Sequence, residues 1–266
     1  MRLIDCHTHC FPDRIAAKAI QNLVTTYRVP AHSDGTVAGT RAYVAEMALQ
    51  AAVILPVASR PHQVRSINDW AAGLKEEGII AFGAAHPGLE GAGEEMERIA
   101  ALGLRGIKLQ ATWGDYDPDD PAMAPIYRAC AGRMVVYFHA GNEITPVSHV
   151  RATPERLARV LDRHPDLTAV AAHMGGYLEW EGVERLLLGR RNLYLDTSYC
   201  PPAVFPDARM LDFIRRHGAD RVLFGTDFPF GHAREDLARL QGLGLTGEEV
   251  EMICHGNAER LLGTPL

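Results

Sequence analysis

The first strand-like segment of the chain, Arg2 to His9, ends in a His-x-His pair, His7 and His9. Because side chains alternate between the two faces of a strand, both imidazoles point the same way, whereas Cys6 and Cys10 point the other way. Neutral imidazole is a common ligand for divalent metal ions, and two fixed rings lower the ordering cost of binding. The pair alone also fits two surface histidines, or one core histidine beside an exposed one.

Other residues that can bind a metal or move a proton follow later apolar segments of the chain. They are Lys108, His139, His173 and Asp227. Functional side chains of α/β barrels gather where the parallel strands end, so these positions favour a shared site. Several N and O ligands with room for a water describe a catalytic metal site, where the water titrates at about pH 7. We expect Asp227 to act as a ligand, as the base for that water, or as both, and His173 to orient the water or shuttle a proton.

The segments that must position these residues are short apolar runs that alternate with helical patterns. After the first strand, the runs cover residues 52–57, 79–85, 104–109, 133–139, 167–173, 192–196 and 221–226. Largely continuous apolar runs are typical of strands that are buried on both faces. Eight such βα units predict an α/β fold, a (β/α)8 TIM barrel in a single domain over residues 1–266, with a lid-like insertion at about residues 10–50. An open doubly wound sheet is the alternative, but the Gly-x-Gly-x-x-Gly turn is missing after strand one.

Composition narrows the class of partner. The formal charge of −6 makes a nucleic-acid partner improbable, because such binding draws on clustered Lys and Arg. No apolar run approaches the roughly 20 residues that span a bilayer, so no membrane segment is expected. The chain start lacks the features of a secretory signal, so a cytoplasmic location is expected. Five scattered cysteines argue against a disulfide framework.

The motifs around the candidate residues, taken in order, resemble those of the amidohydrolase superfamily. They are Asp5-Cys6-His7-Thr8-His9, Gly106-Ile107-Lys108-Leu109, Phe138-His139-Ala140-Gly141, Ala172-His173-Met174-Gly175-Gly176, Gly225-Thr226-Asp227-Phe228-Pro229 and Gly256-Asn257-Ala258. The resemblance spans nearly the whole chain. Within the superfamily, the motifs resemble those of the amidohydrolase-related branch. This branch contains aminocarboxymuconate semialdehyde decarboxylase, γ-resorcylate decarboxylase and various small hydrolases.

The resemblance implies four ligands for one divalent metal ion, expected to be zinc, with manganese as the other option: His7, His9, His139 and Asp227. It also implies that His173 assists proton transfer. Lys108 has two interpretations, a carboxylated lysine that bridges two metals or a cation that holds a substrate carboxylate, and the branch's use of one metal favours the second. Trp113 and Tyr199 are expected on loops that overhang the site, where they could bind substrate or serve packing.

The leading hypothesis is therefore a metal-dependent hydrolase that attacks a C–N or C–O bond of a small carboxylate-bearing or cyclic substrate through a metal-activated water. The alternative is a metal-dependent non-oxidative decarboxylase of a small unsaturated or aromatic acid. The decarboxylases of the branch tend to be longer than this chain, which favours hydrolysis. A deoxyribonuclease, a metal-free lactonase and a non-catalytic binding barrel are less favoured. Relatives of this type often form dimers, so a homodimer is one expected assembly.

Overall fold

Short strands alternate with helices in the computed structural model, which describes residues 1–263. The strands are β1 (Ile4–Thr8), β2 (Ala51–Ile54), β3 (Ile79–Ala81), β4 (Gly83–Ala84), β5 (Gly106–Leu109), β6 (Val135–Phe138), β7 (Thr168–Ala171), β8 (Leu193–Asp196) and β9 (Val222–Leu223). The α-helices are α1 (Asp13–Tyr27), α2 (Val37–Glu46), α3 (Val64–Gly73), α4 (Ala92–Ala101), α5 (Ala111–Gly114), α6 (Ala124–Cys130), α7 (Pro154–Arg163), α8 (Trp180–Leu186), α9 (Asp207–His217), α10 (Ala233–Gly242), α11 (Gly247–Glu251) and α12 (Asn257–Leu262). Met252–Gly256 forms a π-helical turn.

The strands lie within the apolar runs that predict them, except that β2 begins at Ala51, one residue before the run over residues 52–57. The run over residues 79–85 differs, because it contains two strands, β3 and β4, separated at the buried Phe82. Among the helices of residues 1–263, none is both long and apolar enough to cross a membrane.

Contacts between Cα atoms divide the chain into two compact units, of which the first comprises residues 1–54, 76–80 and 196 onward. In this unit the strand order is β1-β2-β3, and β1 pairs in parallel with β2, with Ile4 opposite Ala51. All five residues of β1 are buried, as expected of a strand covered on both faces. The amide of Cys6 donates to the carbonyl of Phe224 at 2.9 Å, so the segment around β9 lies alongside β1.

The second unit, residues 55–75 and 81–195, contains five parallel strands in the order β4-β5-β6-β7-β8. Lys108 on β5 lies opposite Tyr137 on β6, which in turn lies opposite Val170 on β7. Because the strands are parallel and adjacent, their carboxyl ends meet at one edge of the sheet. The one or two residues that follow β5, β6 and β7 therefore lie at one edge of the sheet, and they include Gln110, His139 and His173.

Helix α7 illustrates how local sequence fixes a helix of the second unit. Thr153 caps the helix, because its hydroxyl accepts from the amide of Arg156 at 3.4 Å, and Pro154 occupies the first turn. Leu157, Val160 and Leu161 are buried at helical spacing. Burial of each such side chain contributes roughly 1.5–3 kcal/mol to folding.

Candidate functional site

The end of β1 and the segment after β9 bring together a His–Asp cluster, defined by His7, His9 and Asp227. The ring centroids of the two histidines are 5.1 Å apart. Oδ1 of Asp227 lies 3.3 Å from Nε2 of His7 and 3.1 Å from Nε2 of His9. The prediction that His7 and His9 point the same way is therefore confirmed, and Asp227, which the sequence analysis also assigned to the site, lies beside them although it is 218 residues further along the chain than His9.

Backbone contacts hold the three residues of the His–Asp cluster in place. The amide of Asp227 donates to the carbonyl of His7 at 2.9 Å, and the amide of His9 donates to the carbonyl of Phe228 at 2.6 Å. Asp227 has a φ of +67°, which is uncommon for a residue with a side chain. A Cβ at Gly225 would lie 2.9 Å from Cβ of His7, so glycine is needed for the close approach to β1.

The spacing of the His–Asp cluster fits a metal ion. Two ligand atoms about 2.0–2.1 Å from one ion, at a roughly tetrahedral angle, lie about 3.3 Å apart. The separations between Asp227 Oδ1 and the two Nε2 atoms, 3.3 and 3.1 Å, match this value. One ligand atom from each of the three residues lies within 4.8 Å of the others. The cluster can therefore supply one carboxylate oxygen and two imidazole nitrogens to a single cation.

Asp196, the last residue of β8, contacts the other nitrogen of His7. Its Oδ2 lies 2.7 Å from Nδ1 of His7, and Oγ of Ser198 lies 2.9 Å from the same nitrogen. The sequence analysis placed Asp196 only as a strand end, without a role. The signal was a carboxylate at the carboxyl end of a predicted strand, the same criterion that found Asp227.

Asp5 is a second carboxylate beside the His–Asp cluster that the sequence analysis did not single out. Its Oδ1 accepts from the amides of His7 and Thr226, both at 3.1 Å. Its Oδ2 accepts from the hydroxyl of Tyr43 at 2.7 Å and from Oγ1 of Thr226 at 2.6 Å. Burial raises the pKa of Asp5 to about 6, although these four hydrogen bonds oppose the rise. Asp5 thus joins the strand of His7 to the segment that contains Asp227.

The second unit forms a further cluster, the His139 cluster, which consists of His139, His173 and Glu143. Nδ1 of His139 lies 3.2 Å from Nε2 of His173, and their ring centroids are 4.9 Å apart. The indole of Trp180 donates to the carbonyl of His173 at 3.0 Å, and His173 has a φ of +58°. The structure thus brings these two predicted site residues together from consecutive strands.

Glu143 was missed by the sequence analysis. Its side chain is 1% exposed, and Oε1 lies 3.3 Å from Nε2 of His139, which also lies 3.1 Å from the carbonyl oxygen of Asn142. Two acceptors at Nε2 favour a proton there, so the lone pair of His139 lies on Nδ1. A glutamate four residues after a predicted ligand was the available signal, but irregular backbone over residues 139–143 gives no periodicity from which to place it.

Lys108 is buried at the carboxyl end of β5. It is 2% exposed, and its Nζ lies 5.0 Å from the centroid of the Tyr137 ring, where the ring face stabilises a cation. Gln110, two residues further, is 7% exposed, and its Oε1 has no hydrogen-bond partner within residues 1–263. A buried polar atom without a hydrogen-bond partner costs about 1–3 kcal/mol of folding free energy. Such atoms are typical of places where a bound ligand supplies the partner. Both predicted roles of Lys108 stay predictions.

Trp113 and Tyr199 differ in their secondary structure and solvent exposure. Trp113 lies in the short helix α5 rather than in the predicted loop, since the amide of Gly114 donates to the carbonyl of Gln110 at 3.0 Å, and its side chain is 41% exposed. Tyr199 is half-buried, with a φ of +40°. Their roles in substrate binding stay predictions.

Nearly the whole sequence matches the model of a known protein family. The family model described as "Amidohydrolase" matches residues 4–264. The chain belongs to the amidohydrolase family. The resemblance inferred from the strand-end motifs is thereby confirmed.

Solved structures similar to this amidohydrolase cover nearly all of it. They include 5-carboxyvanillate decarboxylase from Sphingomonas paucimobilis, with 18% identity, 99% of both chains covered and a TM-score of 0.74. An uncharacterized Tim-barrel protein from Bordetella bronchiseptica has 22% identity, 99% coverage of both chains and a TM-score of 0.75. A dihydroxybenzoic acid decarboxylase from a Polaromonas species, with bound manganese and the inhibitor 2-nitroresorcinol, has 17% identity, coverage of 98% of this chain and 97% of that one, and a TM-score of 0.72. This likeness confirms the predicted fold class of the amidohydrolase, an α/β TIM barrel in a single domain.

Proposed function

We propose that this amidohydrolase is a metal-dependent, non-oxidative decarboxylase of a small aromatic acid. The observation that carries the proposal is the likeness, over nearly the whole chain, to solved decarboxylases of 5-carboxyvanillate and dihydroxybenzoic acid. The sequence analysis favoured hydrolysis partly because decarboxylases of this branch tend to be longer. The likeness covers 99% and 97% of those two decarboxylases, so the length argument has little weight. Decarboxylation, the alternative in the sequence analysis, is therefore the better-supported reaction.

The His–Asp cluster is the proposed metal site. Its two imidazole nitrogens and one carboxylate oxygen suit either zinc or manganese, and the manganese in the Polaromonas enzyme supports manganese. When bound, a divalent ion supplies a positive charge that attracts the substrate carboxylate and stabilises the negative charge that develops during reaction. We retain His139 as the proposed fourth ligand and His173 as the proposed group that assists proton transfer.

The remaining chemistry is one proton transfer. The bond between the ring carbon and the carboxyl carbon breaks, carbon dioxide leaves, and the electron pair left on the ring carbon forms a bond to a proton. Asp227 and His173 are the two groups proposed to deliver that proton, which requires no oxidant or reductant. Lys108 is proposed to form an ion pair with a substrate oxyanion. The unpaired Oε1 of Gln110 would accept a hydrogen bond from a substrate hydroxyl.

The proposal is tested by measuring carbon dioxide release from a panel of hydroxylated benzoates that includes 5-carboxyvanillate and 2,6-dihydroxybenzoate. The protein is stripped with a chelator and then supplied with Mn²⁺ or Zn²⁺. We expect release that requires the metal and falls about 10²–10⁴-fold in Asp227→Asn, the range for loss of a general acid. Glu235→Gln, an exposed carboxylate on α10, is the matched control and should keep full activity.

His173→Ala separates metal binding from proton transfer. This variant should keep its metal and lose turnover, because His173 is not one of the proposed ligands. The same preparations are offered lactones and amides. Hydrolysis of any of these without carbon dioxide release from the benzoates would overturn the proposal in favour of the hydrolase, and a panel that yields no carbon dioxide at all would also overturn it.

A further inference from the structure

A hydrogen-bonded group on the far side of His7 consists of Asp196 and Ser198. The Oδ2 of Asp196 lies 2.7 Å from Nδ1 of His7, and Oγ of Ser198 lies 2.9 Å from it. His7 is 1% exposed, and Asp196 and Ser198 are fully buried. All three side chains are therefore removed from water, where a short contact between a carboxylate and an imidazole is strong.

Asp196 is itself fixed by Ser198. Its Oδ1 accepts from the amide of Ser198 at 3.0 Å and from the hydroxyl of Ser198 at 2.6 Å. Because that hydroxyl donates to Asp196, its oxygen presents lone pairs to Nδ1 of His7. Both groups that face Nδ1 therefore act as acceptors, and the arrangement requires a proton on Nδ1.

We propose that Asp196, supported by Ser198, is the positioning residue that holds His7 as a metal ligand. With the proton of a neutral imidazole on Nδ1, the lone pair of His7 lies on Nε2, the nitrogen that is 3.3 Å from Oδ1 of Asp227. Two acceptor atoms facing each other at this distance are stabilised by a cation between them. Asp196 thus fixes both the tautomer and the ring orientation that the metal site requires.

This inference rests on the metal site of the proposed function and is independent of which reaction that site carries out. The test is the Mn²⁺ dissociation constant, measured from the electron paramagnetic resonance signal of free Mn²⁺. Asp196→Asn keeps the size of the side chain, and we expect the dissociation constant to rise about 10–100-fold, the range for loss of a partner of a metal-ligating histidine. Ser198→Ala should raise it by a smaller factor.

The same substitution made in a His7→Ala variant distinguishes a positioning role of Asp196 from a general contribution to the stability of the fold. In His7→Ala protein, the further change Asp196→Asn should leave the remaining Mn²⁺ affinity unchanged, because the ligand through which Asp196 acts is gone. A role confined to stability would weaken binding by the same factor in both backgrounds. Glu95→Gln, at a carboxylate that is 1% exposed and is paired with Arg98, is the matched control and should keep its Mn²⁺ affinity.

The failure of this inference is distinguishable from failure of the metal site. Wild-type protein that binds Mn²⁺ while Asp196→Asn binds it equally well would overturn the role of Asp196 alone. A measurement without metal gives a second check, since nitrogen-15 NMR of the histidine rings should place the proton of neutral His7 on Nδ1 in wild-type protein. A proton on Nε2 would also overturn the inference.

Discussion

At the residue scale, three buried carboxylates contact His7 in the first unit. Asp5 contacts the amide of His7, Asp196 contacts its Nδ1, and Asp227 lies beside its Nε2. One histidine is thus approached by three acids, each at a different atom. Asp5 is served by the backbone amide, whereas a neutral imidazole can serve both Asp196 and Asp227 only when a cation lies between Nε2 and Asp227, which is why this arrangement supports a metal site.

Asp236 makes the folding stability of the protein depend on pH. Burial, with the nearby negative charges of Asp5 and Asp227, raises the pKa of Asp236 from 3.8 to about 8. A carboxyl group with a raised pKa binds its proton more tightly in the folded state. Its contribution to stability is therefore present at low pH and is lost as pH rises from about 4 to about 8.

We expect Asp236→Asn to raise the melting temperature, since the amide mimics the protonated acid. The gain over wild type should be small near pH 4, grow up to about pH 8 and then stay constant. Thermal unfolding in a chelating buffer at several pH values measures it. Glu248→Gln, an exposed carboxylate on α11, is the control and should show no such trend. A gain that does not change with pH would contradict the role of Asp236.

The members of the His–Asp cluster could be predicted as site residues from the sequence because their signals are local. His7 and His9 share a strand face, and Asp227 follows an apolar run. Asp196 could be placed at the end of a predicted strand, but neither its contact with His7 nor the contacts of Asp5 could be predicted, because they join residues up to 221 positions apart. No periodicity in the sequence encodes such a contact.

At the element scale, helix α2 is fixed to the strand that contains His7. The hydroxyl of Tyr43 donates to Oδ2 of Asp5 at 2.7 Å, and its ring stacks on Phe228 with centroids 3.9 Å apart. Burial raises the pKa of the Tyr43 hydroxyl, so it remains a hydrogen-bond donor. The connection between β1 and β2, predicted as a lid-like insertion over residues 10–50, is therefore attached at Tyr43. Its role as a lid stays a prediction.

Tyr43→Phe tests this attachment, because it removes one hydroxyl and keeps the ring. We expect a loss of about 1–3 kcal/mol, since an oxygen of the buried Asp5 loses its partner. The melting temperature should fall by roughly 2–10 °C, as measured by calorimetry. Arg41→Ala on the same helix removes an exposed ion pair with Glu76 and should change stability by less than about 0.5 kcal/mol. Equal effects of the two variants would show that Tyr43 does not hold the helix.

The elements themselves were largely predictable, because buried parallel strands are continuous apolar runs. Two details were not. The run at 79–85 contains both β3 and β4, and Trp113 lies in helix α5. Four residues are too few to show a helical period, so α5 could not be distinguished from a loop.

At the scale of the whole molecule, the alternation of strands and helices was enough to predict a TIM barrel, and the fold class is confirmed at identities of 17–22%. The reaction was not predictable in the same way. One metal with the same ligands can hold a substrate for water attack or for loss of carbon dioxide, so the ligand motifs do not separate the two. The residues that we expect to contact substrate, Lys108, Gln110 and Trp113, have no fixed sequence signature.

The central claim, a single divalent metal held by the His–Asp cluster, is tested most directly by elemental analysis of purified protein supplied with Mn²⁺ or Zn²⁺. We predict about one equivalent in wild-type protein and almost none in the double variant His7→Ala/His9→Ala. The double variant His32→Ala/His232→Ala removes another histidine pair, with centroids 5.2 Å apart, and should keep its metal. Wild-type protein without metal, or with two equivalents, would contradict the account.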